Sequence, residues 1–257
     1  MLQNRFYRIK IYFIHDSLFS SKETVISMNE SLASRESLTQ TTYSRLRDAL
    51  LSCQLVPGTR VNTKELAETL DTNVGAIREA LSRLTSENLV IAEPQKGFRV
   101  TPVSLADLLD LTATRKLIEC ECLSESLAHG DVNWEGEILS AFHLLARYGS
   151  GDNEQPGTPE WNRRHNRFHD ALTSACPNTW LLRMQRMLFI QNERYRILSV
   201  NLTRGERDLN AEHKALMEAA LDRNTGQVKK LMQAHIQKTT DVVVKLFDEY
   251  GALTLHE

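Results

Sequence analysis

Apolar residues recur at helical spacing along most of the chain. In the first such segment, TTYSRLRDALLSCQLVPG, Leu46, Ala49, Leu50 and Cys53 share one face before Pro57 and Gly58 end it. The next, NTKELAETLDTNVGAIREALSRLTSENLV, divides into two short helices. Thr63 is expected to cap the first and Asn73 the second, because a short side-chain oxygen can accept the unpaired amide hydrogens of a helix start. Leu66, Ala67 and Leu70 form the inward face of one, and Ile77, Leu81 and Leu84 that of the other. After Asn88 the pattern becomes strand-like on both sides of a Pro-Gln-Lys-Gly turn, which predicts a hairpin. Beyond Pro102 the helical period resumes and predicts helices at about 104–129, 134–148, 160–175, 179–200, 206–222 and 225–248. They are broken at Gly130, at the long loop Gly149 to Pro159, at Pro177, at Gly205 and at DRNTG.

This order implies a mainly α protein: an N-terminal winged helix-turn-helix over 35–102, followed by an antiparallel helical bundle over 103–250. Residues 1–34 read as a loosely ordered extension. The opening MLQNRFYRIKIYFIHDSLFSS has a basic start, but Lys10, His15 and Asp16 interrupt its apolar run, against a signal peptide. Met28 is an alternative start. No apolar run approaches the roughly 20 residues that span a bilayer, so no membrane association is expected.

In the helix-turn-helix, Ala67 is the small residue that lets the second helix cross closely, and Ile77, ten residues on, fills the angle between them. Asp71 occupies the turn, where glycine is commoner. GAIREALSRL is then the recognition helix, its N-terminal end facing base edges. Arg78 and Arg83 are the candidates for bases or phosphates, since a guanidinium makes bidentate contacts with guanine or phosphate. Asn73 and Gly75 lie at the same helix start, Lys64 begins the preceding helix, and Lys96 with Gly97 forms the wing tip.

Charge alone does not select this reading. The net charge is -2, and between Arg35 and Val103 nine Lys/Arg stand against eight Asp/Glu, so any surface for a polyanion is local. Solvated surface charge is the plain alternative for each basic residue. The four cysteines, Cys53, Cys120, Cys122 and Cys176, form no CxxC pair and suggest a reducing, cytoplasmic setting.

The bundle carries a second signal. In RHNRFHDAL, His165 and His169 are four residues apart, so one helix face presents both rings. His213 and His235 fall on two later helices. A lone helical histidine is commonly a packed or surface residue, but several neutral imidazoles that converge suit a transition metal.

The segments KELAETL, VGAIREALSRLTSENLV and QKGFRV resemble the DNA-binding domain of the GntR family of bacterial transcription regulators, over roughly residues 40–102. The resemblance puts Lys64, Arg78 and Gly97 at positions used for operator contact. Val74 departs from the arginine that many relatives carry, so no operator sequence is transferred. TRKLIECECLSESLA, RFHDALTSACPNTWLL, AEHKALMEAALDRN and LMQAHI are similar to the effector-binding domain called FCD, from about Leu105 to Phe247. The branch is that related to the fatty-acid-responsive regulator, and the arrangement looks closest to repressors of glutarate and other short-dicarboxylate catabolism.

By that resemblance His169, His213 and His235 map onto three metal-binding histidines, and His165 takes the position of an aspartate or asparagine ligand. An all-histidine set favours a divalent transition metal, zinc or else nickel, over oxygen-preferring magnesium or calcium. Arg115, and less strongly Arg194 and Tyr195, are candidates to bind a small carboxylate effector; the alternative for Arg115 is a surface ion pair with Glu119. The implied protein is a homodimeric regulator, usually a repressor, that reads a pseudo-palindromic operator, with a hinge near Thr101 to Leu105. The competing classes are a metal-dependent hydrolase with an appended nucleic-acid module and a structural helical adaptor. Neither an HExxH arrangement nor a nucleophile elbow nor a phosphate loop supports the hydrolase.

Overall fold

A computed structural model describes residues 38–148, 156, 158–202 and 207–250. The predicted N-terminal extension and most of the loop from Gly149 to Pro159 lie outside the described residues.

The first part consists of α1 (Leu38–Leu51), α2 (Thr63–Thr69), α3 (Val74–Ser86), β1 (Val90–Glu93) and β2 (Gly97–Val100). The cap of α2 is Asn62 rather than the expected Thr63: its side-chain oxygen accepts from the amides of Lys64 and Glu65. Asn73 caps α3 and accepts from the Ala76 amide. Between the two helices Asp71 takes φ +48°, the left-handed conformation that glycine commonly supplies at this turn. Ala67 and Ile77 are buried as their spacing required, and Leu46, Leu50, Ala80, Leu81, Leu84 and Leu89 complete the core around them. Leu66 and Leu70 are only partly buried against it.

The hairpin is antiparallel, with Val90 opposite Val100 and Glu93 opposite Gly97. A bridge from Arg60 to Arg99 lays the chain before α2 along its open edge. Gly97, at φ +87°, makes the tip, and its backbone rather than crowding demands glycine there.

The second part is helical: α4 (Leu105–His129), α5 (Val132–Arg147), α6 (Pro159–Thr173), α7 (Thr179–Leu202), α8 (Leu209–Leu221) and α9 (Thr225–Tyr250). All six lie within three residues of their predicted bounds. Side-chain caps start most of them: Ser104, Asp131, Thr158 and Asp208 each accept a hydrogen bond from an amide in the first turn. Trp134, Ile138, Phe168, Leu172, Leu216, Met232 and Ile236 fill one core between α5, α6, α8 and α9. A separate cluster joins Leu108 and Leu111 of α4 to Leu188 and Tyr195 of α7 and Val243 of α9. Among the described residues no helix is long and apolar enough to cross a membrane.

Candidate metal centre and nucleic-acid face

Helix α6 turns His165 and His169 inward beside Phe168, while α8 contributes His213 and α9 contributes His235. All four rings are buried, and one ligand atom from each lies within 4.8 Å of the others. The ring centroids are 4.5 Å apart for His165 and His169 and 5.0 Å for His213 and His235. Trp161 stacks on His165 at 4.8 Å, and Phe168 meets His213 edge-on at 5.3 Å.

Burial lowers the pKa of each imidazole, and the neighbouring rings and arginines lower most of them further. The rings are therefore neutral near pH 7, with lone pairs available. Both ring nitrogens of His169 and of His213 have no hydrogen-bond partner among the described residues. Each such buried group forfeits about 1–3 kcal/mol unless something satisfies it.

The other two rings are oriented. His235 Nδ1 lies 2.8 Å from Glu212 Oε2, and His165 Nδ1 lies 3.3 Å from Asn166 Oδ1. A proton on Nδ1 in each case leaves Nε2 as the lone-pair donor. Glu212 is itself held by Arg207, at 2.5 Å, and by Lys238, at 3.0 Å. Burial works to raise its carboxyl, but the bonds from Arg207 and His235 prevail and hold it far below the usual carboxylate range.

Two further arginine–glutamate pairs flank the rings. Arg115 and Glu119 pair along α4 at 2.5 Å, and Arg196 and Glu193 pair along α7 at 2.7 Å, all four side chains buried. Arg115 faces Phe189, itself 5.8 Å from His169. Arg196 reaches Asn162 of α6 and lies over Trp161. The Arg115–Glu119 pair is thus internal and not the surface pair weighed from sequence.

Arg194 and Tyr195 are not brought to the histidines. Arg194 donates to the Thr101 carbonyl at 2.8 Å, and Tyr195 donates to Asp107 at 2.8 Å. Adjacent positions on a helix point about 100° apart, and these two fall on the side of α7 away from the rings. Sequence reasoning missed Arg196, Glu193, Glu212 and Arg207. Glu212 directly precedes His213, and the Glu193–Arg196 spacing of three suits a helix pair; these were the available signals. Two surface cavities among the described residues, one lined by Leu139, Phe142 and Arg147 and the other by Arg163, Arg164 and Arg167, lie outside the histidine cluster.

In the first part, Lys64, Asn73, Gly75, Arg78, Lys96 and Gly97 are all exposed. A Cβ at Gly75 would come within 3.0 Å of the capping oxygen of Asn73, which gives that glycine a local reason. Arg83 is exposed too, but it is engaged with α1: it donates to Gln40 at 3.1 Å and lies over the Tyr43 ring at 4.1 Å.

Comparison with known proteins agrees with this two-part construction. Residues 38–100 match the model for bacterial regulatory proteins of the gntR family, and residues 110–238 match the FCD domain. The chain is 37% identical over 214 residues to BphR of Paraburkholderia xenovorans (strain LB400), described as an uncharacterized HTH-type transcriptional regulator. That alignment covers 82% of this chain and 87% of BphR. The chain belongs to the GntR family. It is also 32% identical to the HTH-type transcriptional repressor GlaR of Escherichia coli (strain K12), over 76% of this chain and 90% of GlaR. The structure of E. coli McbR/YncC superposes with a TM-score of 0.68 at 22% identity, covering 83% of this chain and all of that one, and shows the same fold.

As a GntR member with an FCD domain, the protein is a DNA-binding transcriptional regulator and not an enzyme. The hydrolase and adaptor readings therefore fall. The geometry agrees for the hydrolase: Glu119, Glu193 and Glu212 are each committed to an arginine instead of standing open as a base.

Proposed function

We propose that the protein is a ligand-responsive repressor, released from its operator by a small carboxylate that binds at a metal-containing centre in the bundle. The observation that carries this reading is the set of four buried imidazoles from α6, α8 and α9 with donor atoms within 4.8 Å of one another. Those residues fit a divalent transition metal, zinc or nickel. They are neutral nitrogen donors, two of the rings have no hydrogen-bond partner among the described residues, and their ligand atoms, within 4.8 Å of one another, need only draw inward to reach the roughly 3.3 Å separation of tetrahedral ligands at 2.0–2.1 Å from zinc. Glu212 orients His235 and adds compensating charge beside it.

When bound, such an ion supplies positive charge and coordination positions for a carboxylate oxygen. Arg115, buried beside His169, is the residue to hold the remainder of the effector, sharing its guanidinium with Glu119. The exposed set Lys64, Asn73, Gly75, Arg78, Lys96 and Gly97 forms the operator face, with Arg78 reading bases and the lysines meeting phosphate. Arg83 contributes through its packing on Tyr43. The working form is a cytoplasmic homodimer on a pseudo-palindromic site. The relation to the repressor GlaR supports repression as the direction.

The test is a mobility-shift titration of the zinc-loaded protein on the DNA upstream of its own gene, with a panel of short carboxylates. One member should release the DNA, and His169→Ala should blunt that release. A His169→Ala protein that responds normally overturns the metal-centre reading.

A further inference from the structure

Helix α7 touches both halves of the molecule, on opposite faces. On one face Phe189 approaches His165 and His169 at 6.3 and 5.8 Å between ring centroids. Glu193 and Arg196, four and seven residues on, bond to Asn166 and Asn162 of the histidine-bearing α6. At 3.6 residues per turn these three side chains form one narrow stripe.

Ile190, Gln191, Arg194 and Tyr195 lie on the other side. Ile190 packs into the core of the first part, and Gln191 donates to the Glu87 carbonyl at the end of α3. Arg194, 1% exposed, donates to the Thr101 carbonyl. Tyr195, fully buried, accepts from the Ser104 amide and donates to Asp107. Thr101, Ser104 and Asp107 all fall in residues 101–109, between the two matched domains. The Arg194 carbonyl also faces the buried Cys53 thiol at the end of α1, at 3.9 Å.

We infer that α7 is the lever between sensor and reading head, with Arg194 and Tyr195 as positioning residues that clamp the interdomain segment according to how Phe189, Glu193 and Arg196 sit against α6. A helix is stiff over two turns, so a rotation that reseats one stripe must move the other. Rows of packed side chains transmit such shifts in discrete steps. Neither Arg194 nor Tyr195 needs to touch the ion or the effector. The clamp stands independently of the proposed metal; only the zinc arm below rests on that reading.

The experiment is hydrogen exchange by mass spectrometry on the full-length chain, metal-free and with saturating zinc(II), for the wild type, Arg194→Gln and Tyr195→Phe. Tyr195→Phe removes one hydroxyl and keeps the ring, so it serves if Arg194→Gln fails to fold. Without metal, Tyr195→Phe should speed exchange across residues 99–107 by about tenfold and across α6, residues 158–173, by about threefold. A substitution that changes 99–107 but leaves α6 untouched, or changes neither, overturns the lever.

With zinc, the wild type should show altered exchange at 99–107. The variants should lose that change while their zinc affinity stays within about threefold of wild type. Retention of the zinc effect in the variants also overturns the lever. If the wild type binds no zinc, the metal centre falls, and the metal-free comparison of α6 still decides the lever.

Discussion

The reading head and the histidine centre solve opposite problems. In the head the side chains proposed to meet DNA are exposed: Lys64, Arg78 and Lys96 stand on a small apolar core to which they contribute nothing. In the bundle the side chains proposed to hold a ligand are largely interior. Four imidazoles and two arginine–glutamate pairs occupy space that hydrophobic residues would otherwise fill, and a third pair, Arg207 with Glu212, is half-buried beside them. A surface residue can be exchanged at little cost in stability, whereas a buried polar residue is tied to folding. Changes at Lys64, Arg78 and Lys96 should therefore act on affinity alone, and changes in the centre on ligand affinity and stability together.

The largest contrast is expected from the unpartnered rings. His213→Ala should lower zinc affinity by more than about 100-fold in a competition titration with a chelating dye. It should also shift the melting temperature of the metal-free protein, because the site loses a ring that packs on Phe168. Arg78→Ala should weaken operator binding by roughly 5- to 150-fold, the 1–3 kcal/mol of one bidentate base contact, with an unchanged melting curve. A large loss of stability in Arg78→Ala, or none in His213→Ala, would erase the distinction between the two regions.

Glu212→Gln comes next. It keeps a hydrogen-bond acceptor for His235 Nδ1 but removes the charge, and about 10- to 100-fold of metal affinity should go with it, with operator binding by the metal-free protein unaltered. Measured zinc affinity equal to wild type would reduce Glu212 to a structural ion pair with Arg207.

The centre also predicts a pH dependence that the head lacks. Burial depresses the folded-state pKa of His165, His169 and His213 well below their ordinary 6.5. The unfolded chain therefore takes up protons first as the pH falls. The metal-free protein should hold its full stability above about pH 7 and lose it progressively below 6.5, by up to about 1.4 kcal/mol per pH unit for each histidine. Denaturant melts at pH 7.5 and 5.5 should show this slope, and His169→Phe should flatten it. The smallest effect is local to the head: Asn73→Ala removes the cap of α3 and should cost about 0.5–2 kcal/mol.

The same contrast explains what was legible in the sequence. The head could be read because its rules are local: the ten-residue spacing of Ala67 and Ile77, the Asn73 cap and the Pro-Gln-Lys-Gly turn all act within a few residues. The helices of the bundle were legible for the same reason. The cap of α2 falls on Asn62 instead of Thr63, the stronger capping residue of the two neighbours being Asn62.

Convergence of the centre is not local. His169 and His235 are 66 residues apart in sequence, and only the resemblance to FCD domains put them together in advance. Arg194 and Tyr195 show the limit most plainly. They sit one and two residues after Glu193, which bonds α6, yet they serve the interdomain segment, because the direction of a side chain on a helix turns with every residue. Which side of α7 faces the rings follows from packing, and packing is what the sequence alone leaves open.

The account rests on the four imidazoles acting as one ligand set. Its most direct test is the zinc content of the full-length chain after equilibration with a small excess of zinc(II) and gel filtration, for the wild type and for His169→Ala/His213→Ala. One zinc per chain in the wild type and none retained by the double variant is the predicted result. A wild type that emerges without zinc, or a double variant that keeps its full complement, would contradict the account.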